Sequence, residues 1–279
     1  MTKKQRIVLQ EASLYLLLIF LSAMVLLPIL WMVSTSLKLE TETFSIPPRW
    51  IPETLTFEAY ERILTEHDFP LYIKNSLIVT IGSTIIAVFI SCLAGYGFTR
   101  FRFKGKEPML GFILVTQMFP SVMMLIPYYS LLSKYGLKDS LWGLIIVYVS
   151  FKIAFCTWTM VGYFKTIPIS LDEAAIIDGC NRWQAFYKVV LPMTLPGVAA
   201  TSIYAFITSW NEYMFANLLT VDQNLKTLPV ALAAFNGSYV IQWNDMMAGS
   251  VIASLPLLIG FLCLQKYFIS GLMAGAVKE

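Results

Sequence analysis

Two ionisable residues interrupt otherwise apolar runs, and they are the first candidates for chemistry. Lys152 stands thirteen residues from Asp139 and thirteen from Lys165, which puts it about 20 Å from either end of a helix rising 1.5 Å per residue. Glu212 stands sixteen residues beyond Pro196, a depth of about 24 Å. A charge at either depth is costly in lipid. Each one therefore belongs to a structural ion pair or a snorkelling side chain, or else lines a solute path. Their similar depths on helices running in opposite directions make a Lys152–Glu212 interaction inside a bundle feasible. Trp210, Asn211 and Tyr213 flank Glu212, and such residues can stack on and hydrogen-bond a pyranose ring. Trp and Tyr are also enriched at membrane interfaces, which favours an interfacial or packing role for them. Gln117 and Asn75 complete the path candidates.

A second constellation lies between two apolar runs, in the connection 165–195. Ser170 and Glu173 have the S-x-x-E spacing of a capping box, so a helix is expected to start there. Asp172 and Glu173 suit the positive end of its dipole, and Gly179 is placed to end it in a left-handed conformation. Ala174, Ala175, Leu171 and Ile177 give this short helix a slim apolar surface, with Asp178 as a polar edge. Asn181 is expected to cap a second amphipathic segment carrying Trp183, Phe186, Tyr187 and Val190, which Pro192 should stop after Leu191. From amphipathicity alone, the segment would be a helix lying on lipid headgroups.

Other chemistry is poorly supplied. His67 is the only histidine, so an imidazole metal cluster or a Ser-His-Asp or Cys-His relay would have to be built on it alone. Cys92, Cys156, Cys180 and Cys263 are scattered and form no CxxC pair, so neither a disulfide framework nor a metal site follows. No GxxxxGK[ST] phosphate loop is present.

The elements that position these residues are set by composition. Hydrophobic residues make up 57% of the 279 and charged ones 13%, against about 25% charged in an ordinary globular domain, and the mean hydropathy is +0.69. The expected fold is an all-α membrane protein in which residues 13–268 form one six-span domain. Its six transmembrane helices lie at about 13–37, 75–99, 108–133, 140–164, 196–221 and 246–265, since about 20 apolar residues cross the hydrocarbon layer. Pro28, Pro120, Pro127 and Pro256 are read as kinks, because neighbouring helices can satisfy the freed carbonyls. Twelve Lys and Arg residues fall on one side, including the run Arg100 to Lys106, and seven on the other, with Lys152 inside a span. By the positive-inside rule, the 1–12 segment, the 165–195 loop and the 269–279 tail are cytoplasmic. The net charge of +3 then reports topology and gives no argument for nucleic acid. On the outer side, Pro47, Pro48 and Pro52 favour extended backbone, Thr56 to Arg62 reads as a capped surface helix, and Asn236-Gly237 reads as a turn.

The string Glu173-Ala-Ala175, Gly179, Leu191-Pro192 resembles the EAA signature of binding-protein-dependent ABC importer permeases. Gly95 to Gly105, Ser209 to Tyr213, Thr227 to Val230 and Ser270 to Lys278 are similar to stretches of the sugar-importing, MalG-type branch with its MetI-like permease core. The resemblance covers nearly the whole chain. It implies a sugar or oligosaccharide importer in a bacterial or archaeal plasma membrane, working by alternating access. It implies as partners a second, MalF-like permease, two ABC ATPase subunits and an extracytoplasmic sugar-binding protein. ATP and Mg would belong to the ATPases, with no cofactor, metal or catalysis in this chain. Ser170, Glu173, Ala174, Ala175, Ile177, Asp178, Gly179, Leu191 and Pro192 would form the coupling element. Glu173 would hold the helix end, and Ala174, Ala175 and Gly179 would permit close approach to the ATPase. Asn236, Gly237, Ser238 and Tyr239 would meet the binding protein. The EAA string is shared across importers, so a polyol, peptide or glycerol phosphate remains open as solute. An ion-coupled secondary transporter or channel would transport without any ATPase.

Overall fold

The computed structural model describes residues 3–236 and 242–276, and these are predominantly helical. In chain order the α-helical segments are α1 Lys3–Ser36, α2 Glu40–Thr43, α3 Glu58–Thr65, α4 Phe69–Arg100, α5 Lys106–Val115, α6 Leu125–Lys134 and α7 Leu141–Thr166. They continue with α8 Ile169–Ile177, α9 Arg182–Gln184, α10 Leu191–Met193, α11 Leu195–Trp210, α12 Met214–Leu219, α13 Leu228–Ala234 and α14 Trp243–Ala276. Four stretches are long and apolar enough to cross a membrane: Gln10–Ser36, Phe69–Arg100, Leu141–Thr166 and Trp243–Cys263. Two bent pairs raise the number to six if each forms one span. Helices suit these runs because an apolar solvent leaves backbone N–H and C=O groups only each other as partners.

Two of the helices expected to be continuous are interrupted. The 108–133 run is two segments, Lys106–Met118 and Ser121–Lys134, turned by 92°. Phe119 takes extended backbone (φ −74°, ψ 125°), the conformation favoured for a residue preceding proline, and Pro120 has no N–H to continue the ladder. The 196–221 run divides at Asn211 to Tyr213 into α11 and α12. Pro28 and Pro256 lie inside unbroken helices. The last helix extends past 265 to Ala276, into the segment expected to be a tail.

The chain forms two compact units. The first comprises residues 1–69 and 232–255. Its α1 exposes every residue from 10 to 30, as suits an apolar helix whose surroundings are lipid. Asn244 donates to the Lys38 carbonyl at 2.7 Å and accepts from Thr43 Oγ1 at 2.7 Å. Arg62 Nη2 lies 2.7 Å from the buried Asp245 carboxylate, and this hydrogen bond raises the guanidinium pKa. The helix expected at 56–62 is α3, and it buries Ala59 and Ile63.

The second unit comprises residues 70–231 and 256–279. Here α4, α7 and α11 pack closely where small residues face them. A Cβ on Gly95 would stand 2.9 Å from Met160 Cβ, and one on Gly197 would stand 2.4 Å from Tyr163 Cγ. One apolar cluster includes Val79, Leu144, Val147, Phe215 and Leu219. Another includes Cys92, Tyr96, Cys156, Met160, Phe164, Phe186 and Val190, near the end of the bundle that carries α8.

Candidate functional site

The 165–195 connection folds into short helical pieces, and its caps differ in part from expectation. α8 begins at Ile169 with Pro168 as its N-cap (φ −58°, ψ 136°), and the cap makes no side-chain hydrogen bond. Ser170 therefore lies inside the first turn, and the Ser170–Glu173 capping box is not formed. An N-cap needs non-helical backbone, and Pro168 supplies it two residues earlier. The C-terminus follows the expected pattern. Gly179 has φ +86°, its N–H donates to the Ile176 carbonyl (3.1 Å), and Cys180 N–H donates to the Ala175 carbonyl (2.9 Å). These are the paired bonds of a Schellman ending. Asn181 caps α9 and forms a complete capping box with Gln184, at 2.9 and 2.8 Å. The chain then passes through a π-helical turn, Ala185–Val190, into α10. Pro192 does not stop it; the 76° bend comes at Thr194, between Met193 and Leu195.

α8 has two faces. Asp172 and Ala175 are its buried residues, so Ala175 packs against its own chain and does not supply an outward close approach. Glu173, Ala174, Asp178 and Gly179 are exposed. So are three isoleucines: Ile169, Ile176 and above all Ile177, at 84%. Asp172 Oδ2 accepts from Arg100 Nε and its Oδ1 accepts from the Tyr96 hydroxyl, each at 2.8 Å. Arg100 also donates to the carbonyls of Phe164 (3.2 Å) and Ile167 (2.9 Å). Sequence reasoning missed this cluster. Its only sequence signal is a charge at the end of one apolar run and another just beyond a later run, with no linear spacing to join them.

A cavity of about 680 Å³ is lined by Gln117, Lys152, Asn211, Glu212 and Tyr213, along with aromatic side chains that include Phe151 and Tyr204. Five of the expected path residues thus converge on one space. Asn75 and Trp210 do not line it. Asn75 is buried and donates to the Asn224 (2.8 Å) and Lys226 (3.0 Å) carbonyls, and Trp210 is buried and stacks on Phe206.

Lys152 and Glu212 each have partners of their own, and no ion pair joins them among the described residues. Lys152 Nζ donates to Ser83 Oγ (2.9 Å), to the Ala205 carbonyl (3.2 Å) and to Ser209 Oγ, which accounts for all three ammonium protons and ties α7 to α4 and α11. Glu212 accepts from Tyr148 Oη (2.6 Å), Phe215 N (2.8 Å) and Ala216 N (3.1 Å). Its carboxylate thereby satisfies amides in the first turn of α12, where a negative charge is favoured. A buried ammonium with neutral acceptors only carries a desolvation cost that no counter-charge offsets, and an apolar residue of similar volume removes that cost. Without Lys152 both serine protons keep an acceptor, Ser209 donating to the Ala205 carbonyl and Ser83 to either Ser209 Oγ or the Thr80 carbonyl. Lys152→Met is therefore expected to leave the yield and melting temperature of detergent-purified protein close to wild type. A collapse in both would show that the charge itself is needed for the fold.

Asn236 is exposed, and Gly237, Ser238 and Tyr239 lie outside the described residues.

Residues 87–273 match the family described as the binding-protein-dependent transport system inner membrane component. The chain is 37% identical over 263 residues to the trehalose/maltose transport system permease protein MalG of Thermococcus litoralis, covering 93% of this chain and 94% of that one. It is 34% identical over 251 residues to the diacetylchitobiose uptake system permease protein DasC of Streptomyces coelicolor, covering 90% and 91%. Among solved structures, a bacterial ABC transporter involved in the import of the acidic polysaccharide alginate aligns with a TM-score of 0.80 at 25% identity, over 96% of this chain and 99% of that one. A second, a bacterial alginate ABC transporter in complex with an alginate pentasaccharide-bound periplasmic protein, aligns at 0.68 over 93% of each chain. At 15% identity it shows the fold alone.

Proposed function

Because the chain belongs to the family of binding-protein-dependent transport system inner membrane components, we propose that it is the permease subunit of an ATP-binding-cassette importer for a sugar or oligosaccharide. The observation that carries the mechanism is α8, a helix closed by a Schellman ending and bearing an EAA string, whose Ile169, Ile176 and Ile177 are exposed. A groove on a separate ATPase subunit would cover that face, and two such ATPases would hold the ATP and Mg. Ser170, Glu173, Ala174, Ile177, Asp178 and Gly179 belong to the docking element, while Leu191 and Pro192 connect it to α11. Both termini are then cytoplasmic, in a bacterial or archaeal plasma membrane. A second, MalF-like permease completes the path, and an extracytoplasmic sugar-binding protein delivers solute, with Asn236 among the residues that would meet it.

Solute would pass the cavity lined by Gln117, Asn211 and Tyr213, whose amides and aromatic faces suit a polyhydroxylated ring. Alternating access follows if closure of the ATPases moves α8 and the helices joined to it as rigid pieces. The solute class is tested by titrating the purified complex, with its binding protein, with trehalose, maltose, diacetylchitobiose, a polyol and glycerol phosphate while recording ATP hydrolysis. Stimulation by one of the three sugars is expected. Stimulation by the polyol or glycerol phosphate alone would contradict the assignment.

A further inference from the structure

Arg100 joins α4 to two elements far from it in sequence, the end of α7 and the start of α8, which Ile167 and Pro168 connect. It closes α4 and donates to carbonyls at the end of α7, and its Nε holds Asp172 in the first turn of α8. Tyr96, one turn back on α4, holds the other carboxylate oxygen. The two charged side chains are only 5% and 9% exposed, so water does not compete for these bonds.

α8 also packs on the π-helical turn Ala185–Val190, with Ala175 as its one buried hydrophobic residue. A contact of that kind is non-directional and permits sliding. A guanidinium fixed at three acceptors does not, because its planar fork constrains angle as well as distance. A buried pair contributes little net stability once desolvation is counted, so its consequence here is geometric.

Resting on the docking role proposed for α8, we infer that the Arg100–Asp172–Tyr96 cluster is the joint through which displacement of α8 is passed to α4 and α7. These are positioning residues. They touch neither solute nor nucleotide, and they set how much transport each ATP drives.

The test uses the assembled complex carrying Asp172→Asn or Tyr96→Phe. It reads retention of the ATPase on purification, ATP hydrolysis, and uptake of labelled trehalose or maltose, whichever the hydrolysis titration selects. Retention within about twofold of wild type is expected, because the outward isoleucines are untouched, while sugar moved per ATP falls about tenfold in Asp172→Asn and about threefold in Tyr96→Phe. Asp172→Glu, which keeps the charge, should recover part of the loss. An unchanged ratio in Asp172→Asn with the complex intact would overturn the inference. So would loss of folded protein in both variants in parallel, which would leave the cluster as fold support alone. If the wild-type chain retains no ATPase, the docking role of α8 fails instead, and the two failures are distinguishable.

Discussion

Ile177→Asp is expected to weaken association between this chain and the proposed ATPase subunit about a hundredfold, while the chain itself still folds. Ile177 is 84% exposed at the last position of α8, so its own bundle gains almost nothing from it. Burying an isoleucine side chain is worth about 1.5–3 kcal/mol, and forcing an unpaired carboxylate into the same groove adds a desolvation cost. At 1.4 kcal/mol per tenfold the two effects reach at least two orders of magnitude. Ile177→Leu keeps the apolar surface and should bind within a few-fold of wild type. Binding of the purified ATPase to immobilised chain, across a concentration series, measures both. Equal affinities for the Asp and Leu variants would remove the exposed face of α8 from the docking surface.

Gly197→Val is expected to damage the bundle. The added Cβ alone would lie 2.4, 2.6 and 2.8 Å from Tyr163 Cγ, Cδ2 and Cβ, well inside van der Waals contact, and the obstacle is the root of an aromatic side chain rather than a flexible tip. α11 must then move away from α7, and with it the Ala205 carbonyl and Ser209 hydroxyl that hold Lys152. Overpacking of this kind costs about 1–3 kcal/mol or more, so a fall of about tenfold in the yield of monodisperse protein is expected. Gly162→Ala is the control. Its Cβ would meet nothing within 4 Å, and alanine is the better helix former by about 1 kcal/mol. Similar melting temperatures for the two variants would contradict the close α7–α11 crossing.

Features encoded locally were legible before the structure. Charge-free length revealed the long helices, Gly179 marked a left-handed ending, and Asn181 marked a cap, because in each case the deciding residues are neighbours in sequence. The converging cavity residues were partly legible for a different reason. A polar side chain in an apolar run has few places to go, and Gln117, Lys152, Asn211 and Glu212 all line one space.

What escaped depended on competition or on tertiary partners. Ser170 has the spacing of a cap, but Pro168 takes the position first. Pro120 looks like Pro28, yet the first breaks its span by 92° while the second leaves its helix whole. Proline chemistry alone does not separate them, because both remove one N–H. Lys152 finds neutral acceptors on two other helices where an ion pair with Glu212 was feasible. Asp172 and Arg100 meet across 72 positions, a distance over which no spacing rule operates.

If transport by this chain is driven from outside it, through α8, then uptake must depend on the ATPase. The most direct measurement is uptake of labelled sugar into proteoliposomes containing the two permeases and saturating sugar-loaded binding protein, with the ATPase and ATP present or omitted and with an ion gradient imposed or absent. Uptake that needs both the ATPase and ATP, is indifferent to the gradient, and disappears in Ile177→Asp is the predicted result. Uptake that follows the gradient with the ATPase omitted would contradict it.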